Sequence, residues 1–168
     1  LKDVDRDDEH YAEKRYIAVQ RFCGMDYVRV PLVGMNKIGA HKQTADDTSD
    51  LERSNGRTFQ DEHTGPIMSW EEFEKFEWPD PDTPEAVALL DWYSENLPEG
   101  MIMVSSGGFG HFCEWLSMLM GYEKLCFALF DERDLIKAIA DKTKELNLKA
   151  VKRYLDYDVK MFWGSDDM

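Results

Sequence analysis

Short apolar segments alternate with amphipathic helical segments along this chain, and this alternation constrains the fold more than any other feature. The segments 26–33, 101–104 and 159–163 are rich in β-branched, aromatic or other apolar side chains, as strands are. Between them, 83–97 and 131–154 place apolar side chains at helical spacing. Strands that alternate with helices pair in parallel through crossover connections. The sequence therefore predicts an α/β fold with a parallel sheet.

Polar and glycine residues mark the ends of these elements. Ser69 and Thr83 precede helical segments in positions where their hydroxyls can cap the first turn, and Asp131 is expected to cap the longest helix. The segment 33–58 is polar without a clear period, and we expect an irregular loop there. After it, Asn55-Gly56 predicts the turn of a small hairpin that includes 57–67.

Length and charge limit the class of protein. The 168 residues suffice for one domain with a sizeable core, so we expect residues 1–168 to form a single domain. The formal net charge is −14, and the basic residues form no stripe, which argues against a nucleic-acid or anionic membrane partner. Three cysteines suggest no disulfide framework, and no apolar run is long enough to cross a membrane. A cytoplasmic protein without a signal peptide is the prediction.

A glycine-rich turn, Ser105-Ser-Gly-Gly-Phe-Gly110, follows one predicted strand and precedes a helix. It lacks the GxGxxG spacing and the lysine of phosphate-binding loops. Two interpretations are open: a tight connection, or backbone close to a ligand whose carboxylate or ring edge meets serine hydroxyls and free N–H groups. The candidate ligand-binding residues are Ser105, Ser106, Gly107, His111 and Trp163.

His111 and Cys113 resemble a pair of metal ligands, but they are two residues apart on a predicted helix. Side chains at that spacing point away from each other, so we predict no metal site there. Instead we expect Cys113 to be buried and His111 to lie near the ligand site. Glu114, in the same helix, is either a surface residue or a group held near a pocket.

Asp166 and Asp167 directly follow the last predicted strand and are the candidate catalytic residues. Paired acids at the carboxyl end of a strand can bind a metal, orient a cationic ligand, or divide acid and base roles. Because adjacent side chains of an extended chain point to opposite sides, one of the two suffices to face a pocket. An ordinary acidic turn, or a cap for a following helix, is the structural alternative.

Several motifs in order resemble the uroporphyrinogen decarboxylase superfamily, most closely its corrinoid-dependent methyltransferase-like branch. They are Gly65-Pro-Ile-Met-Ser-Trp-Glu-Glu-Phe-Glu74, Trp78-Pro-Asp-Pro-Asp82, Leu97-Pro-Glu-Gly-Met101, Met120-Gly-Tyr-Glu-Lys-Leu125 and Gly164-Ser-Asp-Asp-Met168. The resemblance implies a (β/α)₈ TIM barrel, of which this chain would be an internal portion, with Asp166 and Asp167 at its mouth.

The same resemblance implies methyl transfer between a corrinoid protein and a small acceptor. It also implies zinc and a corrinoid for the full-length family member, with the zinc ligands outside this chain, so we expect no cofactor bound here. A small-molecule substrate or a corrinoid protein is the expected partner, and a homo-oligomer is possible. The alternatives are uroporphyrinogen decarboxylation and a catalytically silent fragment that acts by association.

Overall fold

The computed structural model describes residues 4–33, 39–45, 56–106 and 111–164, and the fold they form is mixed α/β. The described part of the chain contains these elements in order: α1 (Tyr11–Phe22), β1 (Tyr27–Val30), β2 (Lys42–Ala45), β3 (Arg57–Gln60), α2 (Trp70–Lys75), α3 (Pro84–Asn96), β4 (Ile102–Ser105), α4 (Phe112–Met120), α5 (Tyr122–Asp131) and α6 (Arg133–Asp156). None of the described helices is long and apolar enough to cross a membrane.

The contacts divide the chain into two compact units. The first unit contains the described residues within 1–35, 81–109 and 148–165, and the second contains those within 36–80 and 110–147. The single domain expected from the length stays a prediction.

A small parallel sheet lies at the centre of the first unit. β1 pairs with β4 in parallel, and the register runs from Tyr27 opposite Ile102 to Val30 opposite Ser105. The predicted last strand, 159–163, is reduced to one parallel bridge, in which Met161 lies opposite Val104. The parallel pairing predicted from the alternation of strands and helices is confirmed for β1 and β4.

Helices pack against one face of this sheet. Val28 and Val30 of β1 and Met103 of β4 are buried together with residues of α1, α3 and α6. The helical members of this cluster are Ile17, Leu90, Tyr93, Ala150 and Tyr154. Burial of such side chains stabilises the unit by roughly 1.5–3 kcal/mol each, the usual value for a large apolar side chain taken from water.

The capping residues that the sequence indicates set two helix starts. The Ser69 hydroxyl accepts a hydrogen bond from the Glu72 N–H at the start of α2, and the Thr83 hydroxyl accepts one from the Ala86 N–H at the start of α3. Both predictions are confirmed. The prediction for Asp131 is wrong, because Asp131 is the last residue of α5 and α6 begins at Arg133.

In the second unit, β2 and β3 form an antiparallel pair in which Lys42 lies opposite Gln60 and Ala45 opposite Arg57. The irregular loop predicted over 33–58 is therefore wrong for 42–45. The hairpin predicted around Asn55-Gly56 is found in part: β3 pairs with the preceding strand β2, whereas 61–67 forms no strand, and Asn55 lies outside the described residues. The sequence does not indicate this pair, because every β2 residue is exposed and the strand therefore shows no alternation of apolar and polar side chains.

Candidate ligand site at the carboxyl end of the parallel sheet

Ser105, at the carboxyl end of β4, fastens the last segment to the sheet. Its hydroxyl accepts a hydrogen bond of 2.8 Å from the Trp163 backbone N–H, and its own N–H donates to the Met161 carbonyl over 2.8 Å. Ser105 is completely buried. Its polar atoms therefore act within the protein, and its predicted contact with a ligand stays a prediction.

Ser106 continues the pairing of β4 with β1 by one residue. Its N–H donates to the Val30 carbonyl over 3.1 Å, and its side chain is half-buried. Because side chains alternate along an extended chain, the Ser106 hydroxyl lies on the face opposite to that of Ser105. That is the face of Val104 and of its partner Arg29.

Arg29 and Trp163 meet on that face. The Arg29 guanidinium carbon lies over the Trp163 ring, 4.8 Å from its centroid, a distance typical of a cation–π contact. The Trp163 side chain is still 51% exposed. Sequence reasoning found Trp163 and missed Arg29. The signal that could have found Arg29 is the alternation in β1. Val28 and Val30 lie on the buried face, and the charged Arg29 between them in the sequence lies on the opposite face.

The face that carries Arg29 is partly open in the first unit. Its side chains are those that alternate with the buried cluster, and the apolar ones include Ile102, 36% exposed, and Met161, 52% exposed. Val104, in the middle of this face, is buried at 3% exposure. Parallel sheets in proteins are normally covered on both faces. A parallel sheet with helices on one face and apolar side chains exposed on the other is suited to hold a further layer or a ligand.

Tyr154 of α6 holds the carboxyl end of β1 from the helical side. Its hydroxyl donates to the Val30 carbonyl over 2.8 Å and accepts from the Leu32 N–H over 3.0 Å. Burial raises the pKa of Tyr154 to about 12, so the hydroxyl stays protonated at neutral pH. The three parallel segments are thus joined at their carboxyl ends by Tyr154, Ser105 and Ser106.

Of the other predicted site residues, only His111 is among those that the structure describes. Gly107, Asp166 and Asp167 lie outside the described residues, so the predicted catalytic pair and the role of Gly107 stay predictions. His111 belongs to the second unit, where it precedes α4 and its Nδ1 shares a hydrogen bond with a Glu114 carboxylate oxygen. Glu114, for which the sequence left two interpretations open, therefore orients a histidine.

Side chains of the metal-binding types occur throughout the described part of the chain. Within that part, no group of three or more His, Cys, Asp or Glu side chains is placed to hold a metal ion. The described residues do not supply the zinc ligands that the family resemblance implies, and we derive no chemical step through zinc. Cys113 is half-buried rather than buried, which corrects the expectation for that side chain.

Comparison of the chain with protein-family models, with curated proteins and with solved structures gives no match. The resemblance to the uroporphyrinogen decarboxylase superfamily therefore stays a prediction from the sequence motifs.

Proposed function

We propose that the first unit is a section of a (β/α)₈ barrel, and that the barrel transfers a methyl group between a corrinoid protein and a small acceptor. The observation that supports the barrel is the one-sided parallel sheet. Within the first unit, β1, β4 and the Met161 segment lie side by side in the order in which they follow along the chain, and the helical cluster covers one face. In a barrel, helices cover the outer face and other strands fill the inner one.

The position of the polar side chains supports an active site at the carboxyl ends of these strands. Ser106 and Trp163 both follow β-paired residues at that end, and barrel enzymes carry their catalytic groups there. Asp166 and Asp167 come shortly after Trp163 in the sequence. We propose that they orient the methyl acceptor, while Ser106 and Trp163 contact its body.

The direct test is a methyl-transfer assay. The chain is incubated without oxygen with methylcobalamin as methyl donor and 2-mercaptoethanol as acceptor, with and without added zinc. Transfer moves the methyl group from the corrinoid to the thiol sulfur, and the change in corrinoid absorption reports it. Thioether formation above the rate without protein supports the proposal. Release of CO₂ from uroporphyrinogen without thioether formation would replace it with decarboxylation.

Asp166→Asn and Asp167→Asn test the proposed acids. At least one of them should weaken binding of the acceptor more than it lowers the unfolding temperature. Asp158→Asn is the matched control, since its carboxylate is exposed and pairs only with Lys160 among the described residues. An equal loss of binding and stability in both variants would identify the acids as a structural cap.

Association without catalysis is the second candidate, because the open sheet face exposes Ile102, Met161 and Trp163. Exposed apolar patches of this kind often mark interaction surfaces. Size-exclusion chromatography separates the two candidates when it is combined with the assay. A monomer that transfers methyl groups excludes association as the function, and an oligomer without activity favours it.

A further inference from the structure

We propose that Arg29, Ser106 and Trp163 form a binding site for a monocarboxylate with an aromatic or apolar body. The inference rests on the geometry of the first unit and goes beyond the proposed methyl transfer. It applies whether or not the chain is an enzyme.

The Arg29 guanidinium supplies the charge. It is exposed, and no described residue forms an ion pair or hydrogen bond with it. The guanidinium carbon lies over the Trp163 ring, 4.8 Å from its centroid. A guanidinium in contact with a ring still carries five N–H donors in a planar fork that matches the two oxygens of a carboxylate.

The contact with Trp163 also restricts the Arg29 side chain before a ligand arrives. The Trp163 backbone is in turn held by the buried Ser105 hydroxyl. Less side-chain entropy is then lost on binding than for a freely rotating arginine. Arg29 is therefore partly preorganised for binding an anion.

Ser106 adds a neutral hydrogen-bond donor on the same face. Its backbone N–H is used by the Val30 carbonyl, whereas its hydroxyl has no hydrogen-bond partner among the described residues. A hydroxyl on the same face as a guanidinium can add a hydrogen bond to the oxygens of a carboxylate, which accept several.

The side chains around Arg29 favour an apolar group in the uncharged part of the ligand. Ile102, Met161 and the Trp163 ring present exposed apolar surface on the face of Arg29. An aromatic or apolar group bound there removes this surface from water. A phosphate has no apolar body to place on it. The net charge of −14 on the chain also disfavours the second negative charge of a phosphate. These features favour an aromatic monocarboxylate.

Equilibrium binding of phenylacetate to the full chain, followed by ligand-observed NMR, tests the site. Phenylacetamide is the neutral comparison, because it keeps the ring and loses the charge. We expect the amide to bind about 10-fold or more weakly, since hydrogen bonds between charged groups contribute about 1.5–3 kcal/mol. No methyl transfer is measured, so failure here does not count against the proposed function.

Arg29→Gln should weaken phenylacetate binding about 10-fold or more for the same reason. Arg21→Gln makes the same charge change at the exposed end of α1 and should leave binding within about 2-fold, since distant exposed charges are screened. Trp163→Leu keeps apolar bulk but removes the ring under the guanidinium, and we expect about 5-fold weaker binding. Unfolding curves of each variant verify that the sheet is intact.

Three results would overturn the proposal. One is equal affinity for phenylacetate and phenylacetamide, which needs no variant and shows that charge is not recognised. Another is unchanged binding in a folded Arg29→Gln. The third is inorganic phosphate bound more tightly than phenylacetate, which would assign the arginine to a different class of anion.

Discussion

The Tyr154 hydroxyl donates a buried hydrogen bond to the Val30 carbonyl across 2.8 Å, although 124 positions separate the two residues in the chain. The same hydroxyl accepts from the Leu32 N–H. One helical side chain therefore bonds to the backbone at two points where β1 leaves the sheet, and the Val30 carbonyl also accepts from the Ser106 N–H. A parallel sheet with so few strands depends on such contacts to hold its carboxyl edge in place.

Tyr154→Phe should destabilise the first unit. The variant keeps the ring in the core and leaves the buried Leu32 N–H without its partner, at a cost of about 1–3 kcal/mol, while the Val30 carbonyl loses one of its two hydrogen bonds and keeps that from the Ser106 N–H. Urea unfolding measures the change. Tyr157→Phe is the control, because its hydroxyl bonds to Asp91 at the surface and its loss should cost less than about 0.5 kcal/mol. Equal effects of the two variants would show that the buried bonds add nothing.

Ser105→Ala should loosen the last segment. The variant removes the acceptor of the Trp163 N–H, and the loss of one such hydrogen bond costs about 1 kcal/mol. We expect the Trp163 amide to exchange with solvent about 5-fold faster, as amide hydrogen exchange measured by NMR would report. The Met161 carbonyl keeps its bond to the backbone N–H of residue 105. Unchanged exchange of Trp163 would mean that the hydroxyl does not hold this segment.

Gly121→Ala should be more destabilising than Gly24→Ala. Both glycines have positive φ, +78° and +73°, where an L side chain costs about 1–2 kcal/mol. At Gly24 an added Cβ meets open space, whereas at Gly121 it would lie 2.9 Å from the Thr64 backbone nitrogen. Overpacking of that kind adds about 1–3 kcal/mol, which the urea midpoints of the two variants should reveal. Similar midpoints would indicate that the backbone around Gly121 relaxes.

His63 should titrate above the ordinary histidine range. Its hydrogen bond to the Glu123 carboxylate, and then the charge of Glu123, raise the pKa of His63 in the folded state. Because the folded pKa is raised, the stabilisation is complete below the ordinary value of about 6.5 and is lost as pH rises through the folded pKa. NMR titration of the imidazole measures this pKa.

Glu123→Gln should lower the pKa of His63 toward its ordinary value. Glu62→Gln removes a smaller electrostatic contribution and serves as the control with the same charge change. A larger effect of Glu62→Gln would assign the shift to the general negative charge of the chain rather than to the pair.

The sequence predicted part of the candidate site. Trp163, Ser105 and Ser106 could be named as candidates from their places at strand ends. Their roles could not be predicted, because Ser105 bonds to the Trp163 backbone whereas Ser106 lies on the face of Arg29. Which face a strand residue occupies depends on register, and a slip of one residue reverses it. Arg29 becomes a candidate only when this register places it beside Trp163.

Local sequence determined the elements themselves. Thr83 and Pro84 begin α3, and Ser69 begins α2, because cap hydrogen bonds and the fixed φ of proline act within one turn. The apolar run at β4 and its parallel pairing with β1 follow from the alternation of strands with helices. Tertiary structure decided the pairing of β2 with β3, the hydrogen bond between Tyr154 and Val30, and the contact of Arg29 with the Trp163 ring. Each joins distant residues through register and packing, which local propensity does not encode.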